Sequence, residues 1–495
     1  MKGLRFVPLV LAGLPVLASA QTIRSGYVDW GLTGTNFPEA LETWEKGQKW
    51  TEDDNFFISR VKPKERFRNR FTQVNVSLNE SNDKKLMYWV PINSRQFNAL
   101  PDGAYDREVF PMWQYVTHFG NWSTSLVRIP GGVLDVAHKN GVPVTPVASV
   151  PWGQISASWR AALEKLCDVG ARKLADYLLA YGVDGIGYNS EFSCPRSLVT
   201  NLGRLHEDLY SIMRGNGENP FAEVIWYDGT ATNGNIQFDK GLGTHNSGNF
   251  GSSENIRSSL FFNYNWNDED LLQTSVETAN SLGRSPLDLY CGINMQGREP
   301  QIGTPIWTML AQYPLSIGLW GAHDKSMFYE SRAERGGTPE QCQRTYLERV
   351  ENWFTGSTHN PVTSPELGNS LIYSSQNEDF MGMSKMMSAR SSLKWDLSEE
   401  PFISYFNLGN GKFFNYKGER AHNAEWYNIA IQDYLPTWRW WFSTKLLGRN
   451  PADVPTDGLK AEFVWDDAWM GGSTIRIHGT TENEYIHLFK TEFEL

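Results

Sequence analysis

Short apolar and β-branched runs alternate, from about residue 85 onward, with stretches in which apolar side chains recur every three or four residues. The short runs predict eight β-strands, and the longer stretches, such as residues 161–178 and 198–213, predict amphipathic helices. The predicted strands are Leu86–Val90, Gln114–Phe119, Pro143–Val150, Val183–Tyr188, Glu223–Tyr227, Leu260–Tyr264, Leu287–Ile293 and Ser316–Trp320.

Eight strands that alternate with helices or long loops indicate an α/β fold, the (β/α)8 TIM barrel. An open doubly wound sheet is the alternative. That fold usually has fewer strands and often a Gly-rich phosphate-binding turn, and the sequence contains neither a G-x-G-x-x-G motif nor a P-loop. The barrel is therefore the favoured architecture.

The pattern changes after about residue 350, where Pro361, Pro365 and Gly368 mark a linker. Short alternating runs follow, separated by glycines, and they predict a β-rich, β-sandwich-like C-terminal region. We expect a lead-in segment at residues 21–84, a catalytic barrel at 85–350, and the linker with the β-rich accessory region at 351–495. Whether that sandwich is complete stays open.

The first twenty residues have the pattern of a secretory signal peptide. Lys2 and Arg5 are followed by the apolar run Phe6–Leu17 and then by Ala18-Ser19-Ala20. This pattern predicts cleavage before Gln21 and a protein that is secreted or periplasmic. The remaining chain has no segment of about 20 apolar residues, so we expect no membrane span in the mature protein.

Composition narrows the classes of partner. The formal net charge of -11 argues against nucleic acid. The 20 tryptophans would suit sugar rings, whose C–H faces pack on flat aromatic side chains, although a Trp-rich core explains them equally well. The four cysteines lack C-x-x-C and zinc-site spacing, so we expect mostly buried thiols, with one disulfide left open.

The candidate chemistry lies at the predicted strand ends, because barrel active sites form at the carboxyl ends of the strands. Asn189 and Glu191 follow the fourth strand, and alternation puts their side chains on one face. A buried carboxylic acid there could protonate a glycosidic oxygen. The neighbouring ends carry amides and aromatic rings and few charges, which suits a neutral polyhydroxyl ligand. Taken alone, each such residue is more often a surface or capping residue.

The segment Asp184-Gly-Ile-Gly-Tyr-Asn-Ser-Glu191 resembles the D-G-x-x-x-N-x-E motif of glycoside hydrolase family 85. The resemblance continues in order through Trp226-Tyr-Asp228, Phe262-Asn-Tyr-Asn-Trp266 and Gly292-Ile-Asn294, and returns at Trp465-Asp-Asp-Ala-Trp469. It therefore spans most of the chain.

The resemblance implies a retaining endo-β-N-acetylglucosaminidase that cleaves the N,N'-diacetylchitobiose core of N-linked glycans on glycoproteins or glycopeptides. In this family the substrate's own 2-acetamido oxygen attacks C1 and forms an oxazoline. Carried over, Glu191 is the general acid and base, Asn189 orients the acetamido group, and Tyr227 hydrogen-bonds the same group. The mechanism requires no metal and no other cofactor.

Further residues are candidates for substrate binding. Trp266 would stack near the leaving or acceptor sugar, and Phe238 stands where the family often has a tryptophan. The strand ends and loops add four more candidates: Trp152, Asn263, Asn265 and Asn294.

Two other readings remain. Chitinase-like enzymes of family 18 use D-G-x-D-x-D-x-E, whereas Gly187 and Asn189 stand here in place of two aspartates. An ordinary two-carboxylate glycosidase would pair Asp228 with Glu191. A glycan-binding barrel without activity is the second alternative, and the acid retained at Glu191 argues against it.

Overall fold

A computed structural model describes most of the chain. The described residues are 35–49, 52–66, 83–91, 109–123, 129–264, 266, 268–296, 307–321, 337–355, 380, 382–383, 386–387, 394–436, 441–443, 458–479, 484–489 and 491–495. The predicted signal segment, the predicted linker at 361–369 and the candidate residue Asn265 lie outside them.

Eight parallel strands close into a barrel, which confirms the predicted (β/α)8 fold. The strands are β1 (Leu86–Pro91), β2 (His118–Ser123), β3 (Val144–Ala148), β4 (Gly185–Tyr188), β5 (Glu223–Tyr227), β6 (Ser259–Phe262), β7 (Leu289–Asn294) and β8 (Ser316–Trp320). Each strand pairs with its sequence neighbours, and β1 closes the ring on β8 with Leu86 opposite Ile317. The carboxyl ends of all eight strands therefore meet at one rim.

Helices surround the barrel. Those in the described residues are α1 (Phe37–Thr43), α2 (Glu52–Phe56), α3 (Gly131–Lys139), α4 (Ala157–Val169), α5 (Ala171–Tyr181), α6 (Arg196–Tyr210), α7 (Ser247–Phe250), α8 (Glu269–Ser281), α9 (Trp307–Gln312) and α10 (Pro339–Thr355). Short 3₁₀ turns lie at Trp113–Tyr115, Pro286–Asp288 and Ile429–Ile431, and a π turn at Ser211–Gly215 extends α6.

Side-chain caps account for two of the helix starts. The Ser156 hydroxyl accepts from Trp159 N at the start of α4, and the Asp268 carboxylate accepts from the first N–H groups of α8. At the other end of α5, Gly182 adopts the left-handed conformation that commonly stops a helix. A membrane-spanning helix is not found among the described residues.

One predicted strand begins in the wrong place. Gln114–Phe119 was expected as the second strand, but Trp113–Tyr115 form a 3₁₀ turn and β2 starts at His118. A contact remote in sequence explains the difference: the Arg66 guanidinium donates to the carbonyl oxygen of Trp113 at 2.6 Å and also to that of Val116. Because these two carbonyls accept hydrogen bonds from Arg66, they do not pair with a neighbouring strand.

The lumen of the barrel is filled by large side chains set against glycines. Phe261 of β6 occupies the space beside Gly318 of β8, where an added Cβ would lie 2.3 Å from its ring. Trp89 of β1 fills the space beside Gly120 of β2 in the same way. Large residues opposite small ones let a closed barrel pack its interior without voids.

Asp184 lies at the opposite end of β4 from the candidate acid. Its carboxylate accepts hydrogen bonds from Val144 N (2.7 Å) and Asn219 Nδ2 (2.8 Å), and lies 2.7 Å from His138 Nε2. The aspartate of the D-G-x-x-x-N-x-E motif therefore joins elements at the amino end of the barrel.

Gly185 is held where only glycine fits. Its φ is +137°, and an added Cβ would lie 1.8 Å from the carbonyl oxygen of Glu223 on the paired strand β5. Gly185→Ala should therefore lower the free energy of unfolding by about 3 kcal/mol or more, since strained backbone and an overpacked contact add together. Urea unfolding measures this change.

The matched control for that prediction is Gly187→Ala on the same strand. Gly187 has no positive φ, and an added Cβ would first meet the Val147 methyl group at 3.3 Å. Gly187→Ala should lower the free energy of unfolding clearly less than Gly185→Ala does. Equal losses in the two variants would contradict the argument from φ.

The C-terminal region is β-rich, as predicted. Its strands are β9 (Lys394–Asp396), β10 (Asn410–Gly411), β11 (Phe414–Tyr416), β12 (Glu419–His422), β13 (Trp426–Tyr427), β14 (Trp441–Ser443), β15 (Lys460–Val464), β16 (Thr474–His478), β17 (Tyr485–His487) and β18 (Glu492–Glu494). In the described residues they pair two by two: β9 with β18, β10 with β13, β11 with β12, β14 with β17, and β15 with β16.

Gln432 connects this region to the barrel. Its Oε1 accepts from the Trp113 indole at 2.7 Å, and its Nε2 donates to the carbonyl of Phe110 at 3.2 Å. Ile429 and Trp465 belong to the same apolar core as the barrel helices. The division of the chain at residues 85 and 350 stays a prediction.

The four cysteines carry free thiols. Cys291 and Cys342 are buried, whereas Cys167 and Cys194 are partly exposed. The disulfide that the sequence left open does not form among them.

Candidate active site

Asn189 and Glu191 lie at the carboxyl-end rim, directly after β4. The backbone N–H of Asn189 donates to the carbonyl of Ala148 at the end of β3, at 2.9 Å. The carbonyl of Glu191 accepts from Gly153 N at 2.9 Å, in the loop that follows β3. Both residues are thus held by the neighbouring strand and its loop.

The Asn189 amide is oriented by a backbone acceptor. Its Nδ2 donates to the carbonyl of Val150 at 3.2 Å, and the side chain acts on the Glu191 carboxyl, whose pKa it lowers. Because the Nδ2 group is held by the Val150 carbonyl, Oδ1 is the atom that Asn189 can present to a ligand. A fixed neutral dipole of this kind stabilises charge that develops near it.

Glu191 has the environment of a general acid. Its side chain is half-buried, and burial raises the pKa of its carboxyl above the ordinary value. The polar amide of Asn189 acts in the opposite direction and lowers the pKa of Glu191. A carboxyl whose pKa is raised keeps its proton more readily near neutral pH, as proton donation to a leaving oxygen requires.

The loop that carries this pair is anchored to the next strand. Ser190 is fully buried, and its hydroxyl donates to the Tyr227 carbonyl at 3.0 Å. The Thr230 hydroxyl oxygen lies 2.8 Å from the Ser190 carbonyl oxygen and accepts from Phe192 N at 3.2 Å. Thr230 was not among the site residues predicted from the sequence. It lies two residues after Asp228, just beyond a predicted strand end, where site residues of a barrel are expected.

Tyr227 faces the lumen at the end of β5 and is almost fully buried. Its hydroxyl oxygen accepts from Asn263 Nδ2 at 2.9 Å, and its ring packs against that of Tyr264, with centroids 6.2 Å apart. Burial, with a contribution from the nearby Glu191 carboxylate, raises the pKa of Tyr227 above its usual range. The phenol therefore keeps its proton and can act as a donor.

Asp228 is turned away from this site. It follows Tyr227, the last residue of β5, and its side chain binds the segment at residues 240–246. Its carboxylate accepts from Lys240 N at 2.7 Å and from Asn246 Nδ2 at 3.0 Å. Burial raises the pKa of Asp228 to about 7. This arrangement contradicts the reading that pairs Asp228 with Glu191 as two catalytic carboxylates.

Two aromatic side chains also lie at this rim, Phe238 and Trp152. Phe238 is partly buried and stands edge-on to Tyr227, with ring centroids 6.1 Å apart. Trp152 follows β3 and is 72% exposed, one residue before the Gly153 that binds the Glu191 carbonyl. An aromatic face this exposed beside a polar cleft is available for stacking on a ligand.

Asn294 lies at the end of β7 and is partly exposed. Its Oδ1 accepts from Gln296 N at 3.0 Å. Gln296 Oε1 in turn accepts from the Trp320 indole at 2.9 Å. Asn294 therefore shapes the loop after β7, two strands along the barrel from β5, which carries Tyr227.

Trp266 does not occupy the stacking position predicted for it. Its side chain has no exposed surface, and its indole N–H donates to the Gly292 carbonyl at 2.7 Å. A sugar cannot reach a ring that is enclosed in the core. The prediction of a stacking role was therefore wrong, and the residue is structural.

A sequence model of the family described as Glycosyl hydrolase family 85 matches residues 93–414. The cytosolic endo-beta-N-acetylglucosaminidase of Gallus gallus is 25% identical over 384 residues, which are 75% of this chain and 43% of that protein. The cytosolic endo-beta-N-acetylglucosaminidase 2 of Arabidopsis thaliana is 24% identical over 407 residues, 77% of this chain and 51% of that protein. The chain spans about half the length of the curated relatives it matches.

A solved structure agrees with these matches. The glycoside hydrolase domain of Endo-D from Streptococcus pneumoniae R6 is 25% identical, with a TM-score of 0.70. The alignment covers 92% of this chain and 68% of that chain.

The same relatives correct the prediction of export. The proteins from Gallus gallus, Arabidopsis thaliana and Homo sapiens are cytosolic by name. These relatives contradict the prediction that the protein is secreted or periplasmic, and that prediction was wrong. A short apolar run near a start methionine, on which that expectation relied, is weak evidence by itself.

Proposed function

The chain belongs to glycosyl hydrolase family 85, and from this premise we propose that it is an endo-β-N-acetylglucosaminidase. Its substrate would be the N,N'-diacetylchitobiose core of N-linked glycans on glycoproteins or glycopeptides. It would hydrolyse the β-1,4 bond between the two core sugars with retention of configuration, and one N-acetylglucosamine would stay on the protein.

In the first step, Glu191 donates its proton to the leaving glycosidic oxygen while the substrate's acetamido oxygen attacks C1. The glycosidic bond breaks, and an oxazoline forms on the released glycan. Asn189 presents Oδ1 to the acetamido N–H, which becomes more acidic as the nitrogen gains positive charge. Tyr227 donates a hydrogen bond to the same acetamido group.

In the second step, the Glu191 carboxylate takes a proton from water as the water attacks C1 of the oxazoline. The C1–oxygen bond of the ring breaks, and the acetamido group is restored. Attack from opposite faces in the two steps gives net retention. The enzyme needs one titrating acid and one neutral amide in this scheme, with no protein nucleophile.

One observation carries this proposal: the strand end that holds Glu191 also holds an amide, Asn189, fixed by the Val150 carbonyl, while the carboxylate at the end of the next strand, Asp228, binds Lys240 N and Asn246. Among the described residues, Asp228 is therefore not available as a second catalytic carboxylate for Glu191. An acid beside a fixed amide suits a mechanism in which the substrate supplies the nucleophile.

We further propose that Trp152, Phe238, Asn263 and Asn294 contribute to the walls of the substrate cleft. Trp152 is exposed enough to stack on a sugar. Asn263 would act indirectly, because its Nδ2 is bound to Tyr227.

The test is the mass of the products from a glycopeptide with one defined N-glycan. We expect a peptide that retains a single N-acetylglucosamine and a free glycan that ends in one N-acetylglucosamine. The same peptide carrying only that first sugar serves as the control and should not be cleaved. Release of the whole glycan, or stepwise loss of terminal sugars, would refute the proposed function.

A further inference from the structure

Thr230 lies in the loop after β5 and is buried against the loop that carries Glu191. Its hydroxyl oxygen accepts from Phe192 N at 3.2 Å and lies 2.8 Å from the carbonyl oxygen of Ser190. The carbonyl oxygen of Phe192 is also close to it, at 2.7 Å. A single side chain from the neighbouring strand end therefore binds the residue before Glu191 and the residue after it.

The position of these two partners determines what the Thr230 hydroxyl can do. The Ser190 carbonyl belongs to the peptide unit that precedes the Cα atom of Glu191, and the Phe192 N–H belongs to the peptide unit that follows it. Because each peptide unit is planar, φ and ψ of Glu191 set the orientation of one unit relative to the other. A hydroxyl that binds both units fixes φ and ψ together, and with them the direction in which the Glu191 side chain leaves the backbone.

Backbone contacts hold the two loops close together at this point. Thr230 N donates to the Ser190 carbonyl. An added Cβ on Gly229 would lie 2.4 Å from the same carbonyl oxygen, so the loops touch through their backbones. On the other side, Gly153 N donates to the Glu191 carbonyl at 2.9 Å. The backbone of Glu191 is thus held from both neighbouring strand ends.

Thr230 is itself held in place by side chains. Its carbonyl accepts from the Trp226 indole at 3.1 Å and from Asn249 Nδ2 at 2.9 Å. Both donors are buried. A residue that orients another residue needs a fixed position of its own, and these two hydrogen bonds provide it.

We propose that Thr230 is a positioning residue for the hydrolysis, whose hydroxyl holds the Glu191 backbone so that the carboxyl points at the glycosidic oxygen. This inference rests on the proposed function. Thr230 does not touch the substrate in this role and acts only through Glu191. Since a misplacement of about 1 Å can cost about 100-fold in rate, a smaller shift of Glu191 should still be measurable.

Thr230→Val tests the hydroxyl, because valine has nearly the shape of threonine and lacks only that group. We expect kcat on the glycopeptide to fall about 10-fold, with KM within about 2-fold of the wild type, because the cleft itself is unchanged. Thr230→Ser keeps the hydroxyl, and its kcat should stay within about 3-fold of the wild type. An equal loss in the two variants would overturn the inference, and so would a wild-type kcat in Thr230→Val.

The matched control is Thr145→Val at the amino end of the barrel. Thr145 is fully buried on β3, and its hydroxyl oxygen lies 2.9 Å from His118 Nε2. Both valine variants remove one buried hydroxyl with a partner, so both should have a lower unfolding midpoint. Only Thr230→Val should have a lower kcat. A similar loss of kcat in Thr145→Val would reveal a general effect of stability and would overturn the inference.

A second substrate tests through which residue Thr230 acts. Glu191 serves in both steps of the proposed reaction, so the loss in Thr230→Val should agree within about 2-fold between the glycopeptide and a supplied glycan oxazoline. A loss confined to the glycopeptide would mean that Thr230 acts through Asn189, which would overturn the inference.

A further pair of variants covers the case in which Thr230→Val does not fold. Thr230→Ser and Thr230→Cys differ only in an oxygen and a sulfur atom, and the thiol is the weaker hydrogen-bonding group. We expect the lower kcat in Thr230→Cys, and equal values would overturn the inference. A wild-type protein that leaves the glycopeptide intact would refute the proposed function itself, whereas an active wild type with these variants unchanged refutes only the role of Thr230.

Discussion

Glu191→Gln should lower kcat for cleavage of the N-glycan core by about 1000-fold, with the fold intact. The amide has nearly the shape of the carboxyl, so Asn189 and the loop after β3 keep their contacts. It cannot donate a proton to the leaving oxygen or take one from water. Both steps should therefore fail in this variant.

Kinetics on a defined high-mannose glycopeptide measure this effect, and circular dichroism checks the fold. The matched control is Asp228→Asn, another change of a buried carboxyl to an amide, at the end of the neighbouring strand β5. Because Asp228 faces Lys240 N and Asn246, we expect kcat within about 3-fold of the wild type. Full activity in Glu191→Gln, or an equal loss in Asp228→Asn, would show that Glu191 is not the general acid and base.

Much of the barrel could be predicted from the sequence, because alternation and apolar periodicity are local signals. β5 and β8 have the predicted bounds, Glu223–Tyr227 and Ser316–Trp320. The start of β2 is the exception. It depends on Arg66, whose guanidinium binds the Trp113 carbonyl from a position about 50 residues earlier in the chain. A local pattern does not contain such a contact.

The error at Trp266 has a related cause. The sixth strand was expected to run to Tyr264, but β6 ends at Phe262. Alternation of faces applies only within a strand, so it could not say where the side chains of Tyr264 and Trp266 would point. The Tyr264 ring packs against Tyr227, with centroids 6.2 Å apart, whereas the Trp266 ring enters the core.

The Asn189–Glu191 pair, in contrast, was predictable because its position depends on a local feature of the sequence, the end of a strand. Both residues come within three positions of the end of β4, so the rule that barrel sites form at carboxyl ends was enough to place them. Thr230 and Asn263, by contrast, act through hydrogen bonds to Ser190 and Tyr227, which belong to another strand or to the loop after it. Such partners appear only once the register between strands is known.

Asn189→Ala should lose about 100-fold in kcat on the glycopeptide but less than about 10-fold on a supplied glycan oxazoline. Asn189 helps the acetamido oxygen reach C1 and stabilises the charge that develops on the nitrogen. In a preformed oxazoline the bond between the acetamido oxygen and C1 already exists, and the remaining step needs chiefly a base to activate water. Glu191 supplies that base and is still present in this variant.

The comparison with Glu191→Gln makes the assignment specific, because that variant should fail on both substrates. Asn189→Ala also removes the amide that lowers the pKa of the Glu191 carboxyl, so that pKa should rise further above the ordinary value. The alkaline limb of the rate profile should then move to higher pH, since the acid keeps its proton longer. Equal losses on glycopeptide and oxazoline would mean that Asn189 supports Glu191 only, and not the acetamido group of the substrate.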